Sequence, residues 1–418
     1  MSANCHATGR ICLVTSSFPR WAGDPTAPFL LHLAQDLMAR GWPVDVLAPH
    51  APGLKTREVL SGVPVTRFRY AWPDSRQTLC YGGGALFNLR RRPMDWLKVP
   101  ALVICQCLAL RRLVRGGPCH AVHAHWVLPQ GLVAVAAGRG VPVIISVHGS
   151  DMFALRGGLC TWLKRLALRR AAVVTVNSSA TEAAVRAIAP GVPVLRRIPM
   201  GVAAPESAPA RSREDMRREL QLGDGPVLLF VGRLVAQKGV ADLLQALAIL
   251  AHDWPAASAI IVGDGPERPH LEARVAALKI DGRVRFVGPV DPARVPGYLA
   301  AADVFVAPSK ATLDGTAEGQ GLAVVEAMLA GLPVVASRSG GLVDAVRPEE
   351  TGLLVDEKAP AQIAAAVARL VRDRDLARRL ARQARAMAAD TYAAERTADA
   401  FSRLFADLSP TGLSHAAH

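Results

Sequence analysis

Short β-branched and apolar runs alternate with longer stretches rich in alanine, leucine and arginine along the whole chain. This alternation admits few folds, because strands separated by helix-length crossovers pair in parallel and need helices over both faces of the sheet. In the first half, strands are expected over residues 10–15, 43–48, 63–68, 121–126, 141–147, 172–177 and 194–198, with helices over 29–40, closed by Gly41, and 161–170. A second series is expected over 226–232, 259–263, 284–288, 303–308, 333–337 and 352–355, with a helix over 240–250 and a largely helical tail over 361–408. Between the two series, residues 203–210 (AAPESAPA) are small, proline-bearing and without apolar period, which reads as a linker. The α/β chain therefore divides into a Rossmann-like domain over 1–202, a linker over 203–211 and a second Rossmann-like domain over 212–392. A terminal helix over about 393–408 is expected to pack back on the first domain. A length of 418 residues, 51% of them hydrophobic, suits two cores of that size. Where two such sheets face each other, ligand is expected at the carboxyl ends of the strands, in the cleft between the domains.

Charge is divided unevenly. Residues 1–200 hold 24 basic and 8 acidic side chains, a net of +16, whereas residues 201–418 hold 25 and 27, a net of −2. This excludes a uniformly basic chromatin-like chain or a disordered one, and it assigns contact with an anion to the first half. No stretch reaches the roughly 18–20 apolar residues of a membrane span. The closest approach, 99–110, is broken by Gln106 and closed by Arg111 and Arg112. Ten polar or small residues precede the first strand without the apolar core of a signal peptide, so a cytoplasmic protein is expected. Seven cysteines lie between Cys5 and Cys160 with no CxxC pair, which suits reduced, mostly buried thiols.

Two segments carry the chemistry. The first, Val231-Gly232-Arg233-Leu234-Val235-Ala236-Gln237-Lys238-Gly239, follows a buried strand and places a guanidinium and an ammonium where an open α/β sheet exposes its ligand face. Two fixed cations there balance a diphosphate and stabilise it as a leaving group. The second runs Glu318-Gly319-Gln320-Gly321-Leu322 and on through Glu326 to Met328. Its glycines let backbone approach a ligand, and the helix starting near Gly321 aims unpaired N–H groups at a phosphate. Glu326, more than a turn into that helix among apolar neighbours, needs a partner such as the vicinal diol of a ribose. Glu318, at the loop entrance, can accept hydrogen bonds from sugar hydroxyls. Gly263, ending the second strand of this half, joins the donor-binding set.

The order strand, GRLxxxKG, EGxGLxxxEAM, then GLPVVAS with Gly340-Gly341 shortly after, resembles the donor-binding domain of family 4 of the retaining glycosyltransferases, which have the two-domain GT-B fold. The resemblance implies that Arg233 and Lys238 bind the nucleotide diphosphate, that Glu326 holds the ribose, and that Glu318 with the amides after it holds the transferred sugar. In the first half, Val147-His148-Gly149-Ser150-Asp151 resembles the family's histidine segment. His125-Trp126 and the loop after the first strand, with Phe18, Pro19 and the lone Gly23, then fall on the acceptor side. The sequence departs from the family at Gly23, where a Gly-Gly pair is usual, and at Met200 and Ala203, where a polar residue and an Asp are expected.

The resulting expectation is a retaining, metal-independent transferase that moves a hexose from a UDP- or GDP-linked sugar, its co-substrate, without a resident cofactor. The acceptor class implied is a lipid-linked or cell-surface glycan of the polysaccharide or lipopolysaccharide kind. The one Asp-x-Asp spacing, Asp373-Arg374-Asp375, lies in an arginine-crowded stretch read as one helix over 370–380, which suits solvated carboxylates better than a metal site. His123 and His125 alternate on a strand with no third ligand nearby in sequence. Arginine clusters at 90–92, 111–115, Lys164-Arg165 with 169–170, and 196–197, interleaved over 81–96 with Leu86, Phe87, Leu89 and Trp96, fit the surface of an anionic membrane. Nucleic acid fits less well, since aromatics are only 5% of the chain and form no stacking array. A soluble transferase or phosphorylase acting on a small sugar or glucan, and a non-catalytic membrane-docking subunit, are the rival readings.

Overall fold

Each expected strand of the first half is found within two residues of its expected ends, in one eight-stranded sheet. Its strands are β1 (Arg10–Val14), β2 (Val44–Pro49), β3 (Arg57–Leu60), β4 (Val63–Phe68), β5 (Cys119–His125), β6 (Val143–Val147), β7 (Val173–Val176) and β8 (Leu195–Arg197), in the order β3-β4-β2-β1-β5-β6-β7-β8. All neighbours pair in parallel except β3, which runs antiparallel to β4 at the edge. The sequence reading passes over β3 because Arg57-Glu58-Val59-Leu60 has charge where a buried strand has none. An edge strand tolerates this. The structure is a computed structural model that describes residues 9–138, 140–203, 213–312 and 315–408.

The second series forms a six-stranded, wholly parallel sheet of β9 (Val227–Val231), β10 (Ser258–Val262), β11 (Val284–Gly288), β12 (Val304–Ala307), β13 (Val334–Ser337) and β14 (Leu353–Val355), ordered β11-β10-β9-β12-β13-β14. Helices cover both faces of this sheet, so its strands read as unbroken apolar runs such as Val227-Leu228-Leu229-Phe230-Val231. In the first sheet the order reverses between β1 and β5, and in the second between β9 and β12. In open α/β sheets ligands bind at such switch points, at the carboxyl ends of the strands.

The helices used below are α1 (Pro28–Ala39), α2 (Val99–Arg115), α3 (Leu132–Ala137), α4 (Gly158–Arg170), α5 (Val240–Asp253), α6 (Leu322–Leu329), α7 (Pro360–Arg372), α8 (Arg374–Thr391) and α9 (Ala394–Asp407). The contacts divide the chain into two units: residues up to Asn177, Thr181–Gly201 and the chain from Ala394 make the first, and Ser178–Ala180 with Val202–Ala393 the second. In the first unit α9 packs on α1, where Trp42 donates to Ser402 Oγ at 2.8 Å and Arg40 pairs with Asp399 at 2.6 Å. Of the expected linker only Ala203 lies within the described residues.

Four expectations change. Residues 370–380 are not one helix: α7 ends at Arg372, and Asp373 caps α8 by accepting from Leu376 N at 2.9 Å. Asp373 is thus a cap, set apart from Asp375 by its task. Lys164 does not belong to the basic surface, being 1% exposed. Of the apolar side chains expected among the arginines, Leu89 is buried, and Leu86 and Phe87 are partly so. The thiols are less buried than expected, since Cys12 and Cys80 are buried while Cys105, Cys107, Cys119 and Cys160 are half-buried, all six free. Cys5 lies outside the described residues.

Candidate functional site

In the second unit the loop after β9 carries Arg233, exposed, and Lys238, half-buried. The backbone of this loop is tied to the exit of β10, with Gly232 N donating to Val262 O at 3.0 Å and Leu234 N to Asp264 O at 3.0 Å. The approach is so close that a Cβ on Gly263 would sit 1.9 Å from Gly232 O, which fixes glycine at 263 by space as well as by its φ of +123°. Gly263 thus shapes the loop through packing.

Beyond β12, Glu318 is buried and lies 2.5 Å through Oε2 from Lys238 Nζ, with Ser309 Oγ donating to the same oxygen at 3.3 Å. The pair joins the loops leaving the two strands at which the sheet order reverses. The ammonium expected at a diphosphate and the carboxylate expected at a sugar therefore hold each other. Gly319 and Gln320 follow, buried, and Gly321 (φ +81°) opens α6. No side chain caps that end, which leaves it suited to an anion. Leu322 is partly buried at the first helical position.

Glu326 stands five residues into α6, half-buried, and its carboxyl has no hydrogen-bond partner among the described residues. Burial raises its pKa to about 7. An acid held near neutrality by burial, with no partner among the described residues, suits a ligand that donates two hydrogen bonds. The loop that follows β13 completes the wall: Gly341 N donates to Glu318 O at 2.9 Å, and a Cβ on Gly340 would lie 2.1 Å from that same oxygen. Gly340-Gly341 is thus the bed on which Glu318 and Gly319 rest. Of the loop 311–317, Asp314 lies outside the described residues, and Thr312 N donates to Thr316 O at 3.0 Å.

In the first unit, His148 directly follows β6 and the chain turns away at Gly149 (φ +100°). Its ring is walled by Phe29 of α1 at 5.5 Å, by Trp126 at 5.0 Å and by His125 at 5.2 Å between centroids. His148 Nε2 and His125 Nδ1 share a hydrogen bond of 2.9 Å, the tautomers deciding which donates. His125 Nε2 is buried with no partner among the described residues. His123, two residues earlier on the same face of β5, bonds Ser146 Oγ at 2.7 Å and lies 4.7 Å from the Phe401 ring of α9. Burial lowers the pKa of His148 to about 4 and of His123 to about 3; it lowers His125 too, helped by the other two rings. All three are therefore neutral at neutral pH. Trp126, which leads out of β5, holds a φ of +74°, a strained conformation for a non-glycine residue.

Asp151, expected on the acceptor side, is buried and turned into the protein. Its Oδ1 accepts from His148 N at 3.1 Å and its Oδ2 from Val127 N at 3.0 Å, so it ties the histidine turn to the turn after β5. Burial raises its pKa against those bonds. Beneath it the buried Lys164 donates to Met152 O at 3.1 Å and to Ala154 O.

The first loop is arranged differently from its sequence expectation. Phe18 is wholly buried in place of facing an acceptor, because the chain leaving β1 must still cover the core. Pro19 is buried and its carbonyl accepts from Arg67 at 2.7 Å, whereas Gly23 is exposed. Asp24 pairs with Arg20 at 2.7 Å and accepts from Thr26 Oγ1 at 2.8 Å. Burial works to raise its pKa, yet these hydrogen bonds outweigh it and hold the carboxyl below its ordinary value. Arg67, 2% exposed, also reaches Glu58 at 2.6 Å and Tyr81 OH at 3.1 Å. Arg67 and Lys164 act as struts of these loops, a role not expected from the sequence. A signal exists for both: Arg67 follows Val63 and Val65 on the inward period of β4, and Lys164 precedes Ala167 and Leu168 on the buried face of α4.

Comparison with known proteins adds relatives of both units. The family described as Glycosyl transferases group 1 matches residues 212–387, and that described as Glycosyl transferase 4-like domain matches residues 26–201. The 2-deoxystreptamine glucosyltransferase of Streptomyces kanamyceticus is 32% identical over 82% of this chain and 89% of its own. The GDP-mannose-dependent alpha-(1-6)-phosphatidylinositol monomannoside mannosyltransferase of Mycobacterium tuberculosis is 32% identical over 64% of this chain and 71% of its own. Among solved structures, the sucrose-phosphate synthase of Thermosynechococcus elongatus is 26% identical and superposes with a TM-score of 0.77, covering 96% of this chain and 99% of that one.

Proposed function

The chain belongs to the group 1 glycosyl transferases and is a GT-B glycosyltransferase that works with nucleotide sugars, and from this membership we propose a retaining, metal-independent transfer of a hexose to a lipid-linked or cell-surface glycan. The observation that carries the reading is the set gathered at the switch point of the second sheet: exposed Arg233, the Lys238–Glu318 pair and Glu326, whose carboxyl has no partner among the described residues. Glu326 takes the ribose diol, whose two hydroxyls donate to its carboxylate. Arg233 and Lys238 face the diphosphate, and the charge that grows on its departing oxygen is stabilised by cations already in place. Glu318, freed as Lys238 turns to phosphate, accepts from the hydroxyls of the transferred sugar.

The displacement runs on one face of the sugar. The bond from the anomeric carbon to the diphosphate oxygen breaks as the acceptor oxygen bonds from the same side, and the acceptor's proton passes to the departing phosphate. No protein nucleophile is needed. His148, neutral and walled by rings, orients a sugar hydroxyl by hydrogen bonding. The donor is UDP- or GDP-linked; a GDP-mannose-dependent relative and a glucosyltransferase relative support a hexose. The acceptor lies at an anionic membrane surface on the cytoplasmic side, which the net of +16 over residues 1–200 supports.

The test is a titration of the purified protein with UDP-glucose, UDP-N-acetylglucosamine and GDP-mannose in the presence of EDTA, following thermal stability and release of free diphosphate. A shift and turnover with one of them is the expected result. A requirement for added metal ion overturns the metal-independent step.

A further inference from the structure

On one face of the first sheet α2 packs against α3, and α3 against α4. The two outer helices lead into the parallel strands β5 and β7, so their amino-terminal ends both lie at the carboxyl edge of the sheet, the edge that carries His148. α2 carries large apolar side chains on its outer face as well as its inner one. Its inner face buries Leu102, Gln106 and Leu110, and both amide atoms of Gln106 lack a partner among the described residues. Its outer face carries Ile104, 58% exposed, and Leu108, 45% exposed, continuing from Trp96 and Leu97 on the preceding turn Pro93–Lys98. α4 repeats the arrangement, with Leu159 and Trp162 exposed on its first turns. In both helices the apolar turns give way to exposed arginines, Arg112 and Arg115 in α2, Arg165 and Arg169 in α4.

Charge on this face has one sign. Residues 85–117 hold seven basic side chains and a single carboxylate, Asp95. That carboxylate is buried and paired with Lys98 at 2.7 Å. Solvent alone would not select large apolar side chains in a row beside arginines. A nucleic acid would take the arginines but gives no reason for Leu97, Ile104, Leu108 and Leu159. An anionic bilayer takes both, apolar groups entering below the headgroups and guanidinium groups pairing with phosphates.

We propose that the outer faces of α2 and α4 form the surface by which this chain docks on an anionic lipid bilayer, with Trp96, Leu97, Ile104, Leu108, Leu159 and Trp162 entering the headgroup boundary. This rests on the reading that the acceptor is held at a membrane, and it places the apolar turns at the edge of the sheet from which His148 projects.

The test is flotation of the full chain with vesicles of phosphatidylcholine, with and without phosphatidylglycerol. Binding to the anionic vesicles alone, weakened by salt, is expected. The variant Ile104→Ser/Leu108→Ser/Trp162→Ser loses that binding while its melting temperature and its release of diphosphate from the sugar nucleotide stay as in the parent. The variant Arg112→Gln/Arg165→Gln weakens binding by about fivefold per charge. As a control, Ile249→Ser/Val343→Ser, which removes exposed apolar groups of the second unit, binds as the parent does. Undiminished binding by the triple variant, equal binding to neutral vesicles, or capture by RNA in place of vesicles overturns the proposal. Vesicle binding by a chain that turns over no sugar nucleotide supports the docking surface and counts against the donor-site reading alone.

Discussion

Lys238 Nζ and Glu318 Oε2 lie 2.5 Å apart, an ion pair that joins the loop leaving β9 to the loop leaving β12. Eighty residues separate the two in sequence, and the reversal of strand order between β9 and β12 brings them together. The pair sets two opposite charges against each other, and in the proposed reaction it opens when a diphosphate offers Lys238 a stronger partner.

Removing either member should therefore act twice. Lys238→Ala takes away the proposed phosphate cation and leaves Glu318 buried with Ser309 beside it; Glu318→Gln takes away the proposed sugar contact and frees Lys238. Each should lower turnover of the sugar nucleotide at least ~100-fold, the scale of a lost electrostatic donor. Stability should separate them: Lys238→Ala melts lower, and the double variant Lys238→Met/Glu318→Gln recovers much of that loss because no buried charge is stranded. A double variant that melts lower by the sum of the two single losses would show that the pair carries no coupling.

In the proposed donor site, Glu326 links binding to pH. Burial holds its pKa at about 7 in the free protein, well above 4.5, so the native state keeps a proton that the unfolded chain has already lost between those values. Its contribution to stability is complete below pH 4.5 and is lost as pH rises through 7, on the order of 2 kcal/mol after allowing for partial exposure. A ribose diol prefers the carboxylate, so donor affinity should rise as pH rises through 7, with a proton released on binding. Calorimetry in two buffers of different ionisation heat measures that proton. Glu326→Gln should release none, bind donor more weakly and melt higher above pH 8.

Much of this fold is legible without a structure, for a physical reason. Parallel strands covered on both faces leave runs such as Val227-Leu228-Leu229-Phe230-Val231 that no other arrangement explains, and all thirteen expected strands exist. The edge strand β3 leaves no such trace, since only Leu60 of its four residues is buried. The candidate residues of the second unit are legible by identity, because Arg233, Lys238, Glu318 and Glu326 sit in loops or helix turns whose composition has few other uses. Their pairing is not, because a contact across eighty residues depends on sheet order. The first site is read less well. Phe18 and Asp151 look like groups offered to a ligand and are instead buried supports, while the burial of Arg67 and Lys164 depends on partners contributed by other loops.

The histidine cluster sets an acid limit. His148 and His123 have pKa values lowered to about 4 and about 3 by burial, so the unfolded chain takes up protons at pH 6.5 that the native state refuses. Stability contributed by the neutral rings is present above pH 6.5 and is lost as pH falls toward 4. The pH–rate profile should accordingly show no inflection from His148 between pH 5 and 8. His148→Asn should lower kcat by about 10- to 100-fold through lost orientation and flatten the acid limb of thermal unfolding. An inflection near pH 6.5 that disappears in this variant would instead mean that His148 titrates normally and acts as an acid or base.

Gly340 separates strain from function. Its φ is +51°, and a Cβ there would lie 2.1 Å from the carbonyl oxygen of Glu318, a backbone atom that has no rotamer by which to move aside. Gly331 has a φ of +75° with nothing within 4 Å of the same added atom. Both Gly→Ala changes incur the left-handed penalty of about 1 kcal/mol, and only Gly340→Ala adds an overlap worth about 1–3 kcal/mol more. The overlap is relieved by pushing the Glu318–Gly319 backbone off its bed, which also moves the carboxylate away from Lys238. Gly331→Ala should thus melt slightly lower with unchanged turnover. Gly340→Ala should lose turnover at least about 10-fold, since a shift of about 1 Å in a positioned group is costly. If the two variants lose stability alike and both retain turnover, the loop after β13 does not position Glu318.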